Sequence, residues 1–254
     1  MIKVYQTKGK LYGLDKYSKI LVKKKHKLKR LFKRKDWVAY HGIERSGSNY
    51  FCACLISINI DLINLFTPPR KNSSSPEHKH YRWYPNKELI PNFRKEFFND
   101  KIVENIKELN SICGYPEDTR HIVIKKNLLT AITSIANHGL RDNWFEDKKD
   151  AENNIELIAK DYKAYYDFWK NMSDLSPSLV QVILYEDLYL SSKPLIYALK
   201  KVDLLPKVKI PNKFIFERVE QSPKNRRNVF SKEDIKNVLS KIGQSKIRNS
   251  TSQL

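Results

Sequence analysis

The chain has 254 residues, 41% of them hydrophobic, which is enough to bury a full core as one main domain. Lys and Arg outnumber Asp and Glu 48 to 28, a formal net charge of +20, so the expected partners are anionic: phosphates, sulfates, polyanions or anionic lipid. Cys52, Cys54 and Cys113 fit neither a disulfide framework nor a zinc-ligand spacing, and the longest apolar stretch, residues 51–66, is broken by Asn59, Asp61 and Asn64, which excludes a membrane-spanning reading. With no signal-peptide-like apolar region at the N-terminus, a cytoplasmic location is expected.

In chain order, residues 2–12 alternate enough for a strand or hairpin. The cationic run 23–35 repels itself and suits an anionic polymer or a membrane surface. Residues 1–36 are therefore read as a basic N-terminal arm, followed by an α/β domain over 37–244 and a flexible tail over 245–254. Within the domain, residues 37–40 read as a strand, 52–56 as helix and 62–67 as a short buried strand stopped by Pro68 and Pro69. Residues 70–85 read as a polar loop, 93–109 as helix, 121–124 as strand, 128–136 as helix, 151–169 as a long amphipathic helix and 179–185 as strand. That alternation predicts an α/β fold: a mostly parallel central sheet flanked by helices on both faces.

The chemistry is expected at the turn between the first domain strand and its helix. A strand feeding a tight loop that opens a helix aims several backbone N–H groups at one spot, where the helix dipole adds positive charge. Gly47 permits close backbone approach, Ser46, Ser48 and Asn49 offer short polar side chains, and Arg45 adds a fixed charge with forked donors. The turn reads as a cradle for phosphate or sulfate. It lacks the longer spacing and the Gly-Lys-Ser/Thr ending of the nucleotide-triphosphatase loop.

Residues 42–50, Gly-Ile-Glu-Arg-Ser-Gly-Ser-Asn-Tyr, resemble the 5′-phosphosulfate loop of sulfotransferases that use 3′-phosphoadenosine 5′-phosphosulfate. A strand ending in a basic residue, with Ser eight positions later, is that family's second landmark; here Lys126 and Ser134 match it, with Lys126 where the family has Arg. The segment Tyr185-Glu186-Asp187-Leu188 is similar to the family's Tyr-Glu-Asp-Leu strand. The stretch 224–231, which contains Arg226 and Arg227, resembles the Lys-Asn-x-Phe-Thr segment near the end of these domains, without the Gly-rich loop of the cytosolic branch. Four motifs in family order span residues 37–242.

The resemblance implies a fold like that of the phosphate-loop nucleoside triphosphatases and transfer of a sulfuryl group from 3′-phosphoadenosine 5′-phosphosulfate to a hydroxyl or amine, with 3′,5′-adenosine bisphosphate as product and no metal. Arg45, Ser46, Gly47, Ser48, Asn49 and Tyr50 would hold the 5′ side, Lys126, Ser134, Arg226 and Arg227 the 3′-phosphate, and Tyr185 would lie near the adenine. Arg45 would also neutralise charge on the bridging oxygen as the bond breaks. Family members carry the general base, His or Glu, after the second strand, where this chain has Glu77, His78 and His80; a neutral imidazole favours His80 first and His78 second. Lys79 and Arg82 would steady the moving group. The acceptor is expected to be a small molecule or glycan, with Tyr81, Trp83, Tyr84, Trp144 and Phe145 available for stacking on a ring. A nucleotide or small-molecule kinase of a related phosphate-loop fold, and a basic nucleic-acid-binding protein, are the alternatives.

Overall fold

The computed structural model describes residues 5–7, 10–12, 36–65, 76–84, 86–93, 98, 102–204, 206, 208–216 and 229–240. The cationic run 23–35, Arg226, Arg227 and the tail 245–254 lie outside the described residues. Near the N-terminus, β1 (Tyr5–Thr7) and β2 (Lys10–Tyr12) pair antiparallel, the hairpin anticipated over residues 2–12.

A four-stranded, all-parallel sheet organises the rest. Its strands are β3 (Trp37–His41), β4 (Asp61–Leu62), β5 (Arg120–Lys125) and β6 (Val180–Leu184), in the order β4-β3-β5-β6. Every residue of β3 is buried, as a parallel strand covered on both faces requires. The period of two sorts its side chains. Val38 and Tyr40, with Ile122 and Ile124 of β5, pack against α1 (Ser48–Ser57) on one face. Trp37 and Ala39, with Val123, meet α2 (Ile106–Cys113) and the helix α4 (Lys148–Leu175) on the other. Between them in sequence, α3 (Leu128–Arg141) joins α4 in a third cluster with Phe145, Phe230 and Ile235, the last in a C-terminal helix over residues 232–240. After β6 come α5 (Tyr185–Leu190) and α6 (Lys193–Lys201), whose Leu195, Ala198 and Leu199 cover the α1 face.

Several boundaries differ from the sequence expectation, each for a local reason. The second strand stops at Leu62 because the Asn64 side chain takes over the ladder: its amide donates to the Tyr40 carbonyl at 2.8 Å and accepts from the Tyr40 N–H at 3.1 Å. Of the helix expected over 93–109, residues 102–105 are not helical, and α2 starts at Ile106, capped by the Asn105 side chain on the Glu108 N–H at 3.0 Å, and ends at Gly114 in the left-handed region. Beyond residue 136, α3 continues to Arg141 through Gly139, whose missing side chain makes room for the Phe145 ring, 2.3 Å from where a Cβ would sit. Tyr185-Glu186-Asp187-Leu188 is not strand but the start of α5. There the Glu186 carboxylate accepts the Asn127 N–H at 3.0 Å, tying the end of β6 to the end of β5.

Candidate functional site at the carboxyl edge of the sheet

The strand order reverses between β3 and β5, and ligands of open parallel sheets bind at the carboxyl ends of strands at such a switch point. Loop 42–47 leaves β3 there. Arg45 and Gly47 both adopt positive φ, 63° and 88°, the alternation that folds successive amides into a concave nest. Gly47 is required twice over: its φ is left-handed, and a Cβ on it would lie 2.2 Å from the Tyr185 ring. Gly42 is equally confined, since a Cβ would lie 2.5 Å from Ser46 Oγ.

Gly47 is the N-cap of α1, and no side chain caps that helix or places an acid in its first turn. The Phe51 N–H is already bonded to the Gly47 carbonyl at 3.0 Å, which leaves the amides of Ser48, Asn49 and Tyr50 as the uncapped first turn. Ser46 does not join them. Its N–H donates to the Ile43 carbonyl at 3.1 Å and its side chain is fully buried, so its part is to shape the turn. Tyr50 likewise contributes only its amide, because its hydroxyl donates to the Phe214 carbonyl at 3.2 Å and its ring packs edge-on to Tyr185.

Positive charge gathers on one flank. Arg45 is exposed, and its Nε donates to Ser134 Oγ at 3.3 Å, joining the loop to α3. Lys126 follows β5 and sits over the Tyr185 ring at 5.2 Å. Burial, then the Arg45 charge, pull its pKa down; Glu186 opposes them, and Lys232, at the start of the C-terminal helix, adds to them. Arg45, Lys126, Ser134 and Tyr185, chosen from three separate sequence motifs, therefore share one place, and Lys232 joins them. The sequence signal for Lys232 was its position one residue after Ser231, which caps Asp234 of the C-terminal helix. A cleft of about 590 Å³ opens beside Lys126 along α4, lined also by Tyr162, Tyr166 and Leu184, within the size range of small-molecule pockets.

Loop 76–84 closes the other flank and is packed, not a free polar excursion. The Gly42 N–H donates to the Lys79 carbonyl at 3.1 Å, and Tyr165 of α4 donates its hydroxyl to that same carbonyl at 3.1 Å. Lys79 Nζ bonds Asn49 Oδ1 at 2.6 Å, so its charge sits at the α1 N-terminus. His80 Nδ1 bonds the Gly42 carbonyl. A carbonyl can only accept, so the proton is on Nδ1; burial holds the His80 pKa well below 6.5, so the ring is neutral and Nε2 keeps its lone pair. His78 has the opposite tautomer. Its Nδ1 accepts the His80 N–H at 3.3 Å, which puts the proton on Nε2 and makes that nitrogen a donor. Of the two histidines, His80 alone has the form of a base.

Two sets of residues assigned to ligand contact are elsewhere. Arg82 is buried between Glu44 and Asp161, at 2.7 Å from each, and is not turned toward an open site. Tyr81, Trp83, Tyr84 and Phe145 are core residues, while Trp144 stacks on Phe93 at 4.9 Å; these rings fill the interior because loops 76–84 and 142–147 fold back on α4 and α3. His41 and His121, by contrast, are paired across β3 and β5 at 3.0 Å, with His121 Nε2 on Asn110 Oδ1 at 2.7 Å. The three cysteines are buried and unbridged. Among the described residues no group of His, Cys, Asp and Glu is arranged to hold a metal, and no helix is long and apolar enough to cross a membrane. The chain matches no family model, no curated protein and no solved structure.

Proposed function

We propose that the chain is a sulfotransferase that moves a sulfuryl group from 3′-phosphoadenosine 5′-phosphosulfate to a hydroxyl of a small-molecule or glycan acceptor. One observation carries this reading. An uncapped helix start, a cationic flank of Lys126 and of Arg45, which donates to Ser134, and a neutral imidazole with its lone pair on Nε2 meet at the switch point of a parallel sheet. Sulfuryl transfer needs those three things: a cradle for the 5′-phosphate, positive charge where the leaving oxygen becomes anionic, and a base for the acceptor proton.

In this reading His80 Nε2 takes the hydroxyl proton as the acceptor oxygen forms its bond to sulfur. The bond from sulfur to the bridging oxygen breaks, and the electron pair stays on the 5′-phosphate. Arg45 and the first-turn amides of α1 stabilise that charge; Lys79, fixed on Asn49, stands beside them. Lys126 and Ser134 hold the 3′-phosphate, with Lys232 in support and Tyr185 against the nucleotide. The basic residues 23–35 offer a second anionic contact, with a polymer or a membrane surface.

Calorimetry tests this directly, with chelator present in the bisphosphate titration only. Binding of 3′,5′-adenosine bisphosphate, and weaker response to ATP with magnesium or to an oligonucleotide, is the expected result. A folded protein that ignores millimolar bisphosphate while binding ATP with magnesium would instead be a phosphate-loop kinase, and one that binds only the oligonucleotide a nucleic-acid-binding protein.

A further inference from the structure

The buried Arg82 touches none of the groups assigned above to the donor, yet it ties the loop of Arg45 to the loop of His80. Nη1 donates to Glu44 Oε1 at 2.9 Å and Nη2 to Glu44 Oε2 at 2.7 Å. From its other side, Nε donates to Asp161 Oδ1 at 3.1 Å and Nη2 to Asp161 Oδ2 at 2.7 Å. Nη1 also donates to the His80 carbonyl at 2.6 Å. Glu44 belongs to the anion loop, His80 to the base loop and Asp161 to the middle of α4, so one guanidinium joins three elements distant in sequence. Tyr84 donates a further hydrogen bond to Asp161. One arginine against two carboxylates leaves the group with a net negative charge; the Tyr84 hydroxyl and the remaining bonds satisfy it in place of water.

We propose that Arg82 is a positioning residue that locks the anion loop and the base loop into one register, so that His80 holds a single tautomer aimed by the Gly42 carbonyl. Only a guanidinium can do this. Its planar fork meets two carboxylates edge-on and still spares a hydrogen for a carbonyl, whereas an ammonium presents a point charge without that geometry. Glu44 explains why the loop has an acid in what is otherwise a cationic turn: its side chain points inward, 4% exposed, and leaves the outer surface to Arg45. The consequence for catalysis rests on the sulfotransferase reading; the clamp itself rests on the distances alone.

The test uses the full chain with histidine labelled with heavy nitrogen, and reads the two ring nitrogens of His80 by magnetic resonance. The wild type is expected to show protonated Nδ1 and an unprotonated Nε2 that stays so as the pH passes below 6.5. In Glu44→Gln the amide NH₂ faces Arg82 N–H groups, the register slips, and the His80 signals move toward those of a loose, exchanging imidazole. Arg82→Lys does the same. His138, which packs against Trp144 away from the clamp, keeps its wild-type signals in both, separating local release from general loosening. If Arg82→Lys does not fold, Glu44→Gln decides alone. Unchanged His80 signals in folded Glu44→Gln overturn the proposal, as does an equal disturbance of His138. Donor turnover in Glu44→Gln is expected to fall roughly 10²-fold, the scale of a small misplacement of reacting groups. Should His80 respond as described while the wild type ignores 3′,5′-adenosine bisphosphate, the clamp stands and the sulfotransferase reading falls.

Discussion

Glu44 and Arg45 are adjacent in the chain and belong to opposite kinds of electrostatics. Glu44 turns inward to a cluster in which each charge has partners at 2.7 Å. Arg45 turns outward to a flank where Lys126 feels it as a like charge. Removing either Glu44 or Asp161 from the first cluster leaves Arg82 short of its partners, so that cluster serves geometry. The second keeps cations together at a cost in mutual repulsion, which an incoming anion would relieve. Oppositely charged groups buried together and like charges brought together thus stand within a few residues of loop, the first arrangement fixing the loop and the second suited to an anion.

The contrast can be broken most sharply at Arg82. Arg82→Ala strands two buried carboxylates and should cost about 3–5 kcal/mol in urea or thermal unfolding; a loss below ~1 kcal/mol would mean the cluster holds nothing. Arg45→Ala should leave unfolding within ~0.5 kcal/mol of wild type, since it is exposed, but lower turnover ~10²–10³-fold with a smaller effect on bisphosphate binding. Lys126→Ala should reverse that balance, weakening the bisphosphate by roughly tenfold, about 1.4 kcal/mol, with turnover of bound donor little changed. If the two variants behaved alike in a titration and a single-turnover assay, one anion would be sitting on both residues rather than two phosphates on one each.

The smallest effect concerns pH. His80 is already neutral at pH 6.5 because burial lowers its pKa, so turnover should change less than ~twofold between about pH 7.5 and 6. An unshifted histidine would lose about half its base form near pH 6.5. Stability follows the opposite sign from a salt-bridged histidine. The folded-state pKa values of His41, His80 and His121 are all lowered, that of His121 to about 3, chiefly by burial. The unfolded chain therefore binds more protons once the pH falls below 6.5, and stability is lost progressively from there toward those folded-state values. His121→Asn, monitored by acid titration of circular dichroism, should flatten that slope.

Much of this architecture could be read in advance because parallel strands and amphipathic helices advertise themselves by period. The buried run at Trp37–His41, the apolar spacing along α4 and the position of the turn between strand and helix are local patterns. So is Gly47, since a left-handed turn before a helix has few alternatives in residue type. The caps are equally legible: Asn105 ahead of Ile106, Glu108 three positions after Asn105, and Gly114 at the end mark α2 better than its apolar content does. What no local pattern could reveal was direction. Arg82 reads in the sequence as a cation for the moving group, and Trp83 and Tyr84 as rings for stacking on an acceptor, until the loop folds onto α4 and brings Asp161 beneath them.

The sequence by itself determined that a parallel sheet with covering helices would form, and that a tight turn built on Gly47 would stand at its carboxyl edge. Those features follow from periodicity and from the few residue types that positive φ allows. Which charges would face a ligand and which would face each other was settled only by the tertiary fold. A side chain's partner depends on elements some eighty residues away, as Arg82 and Asp161 are. Burial then decides the protonation of His80 and the tautomer its neighbouring carbonyl selects.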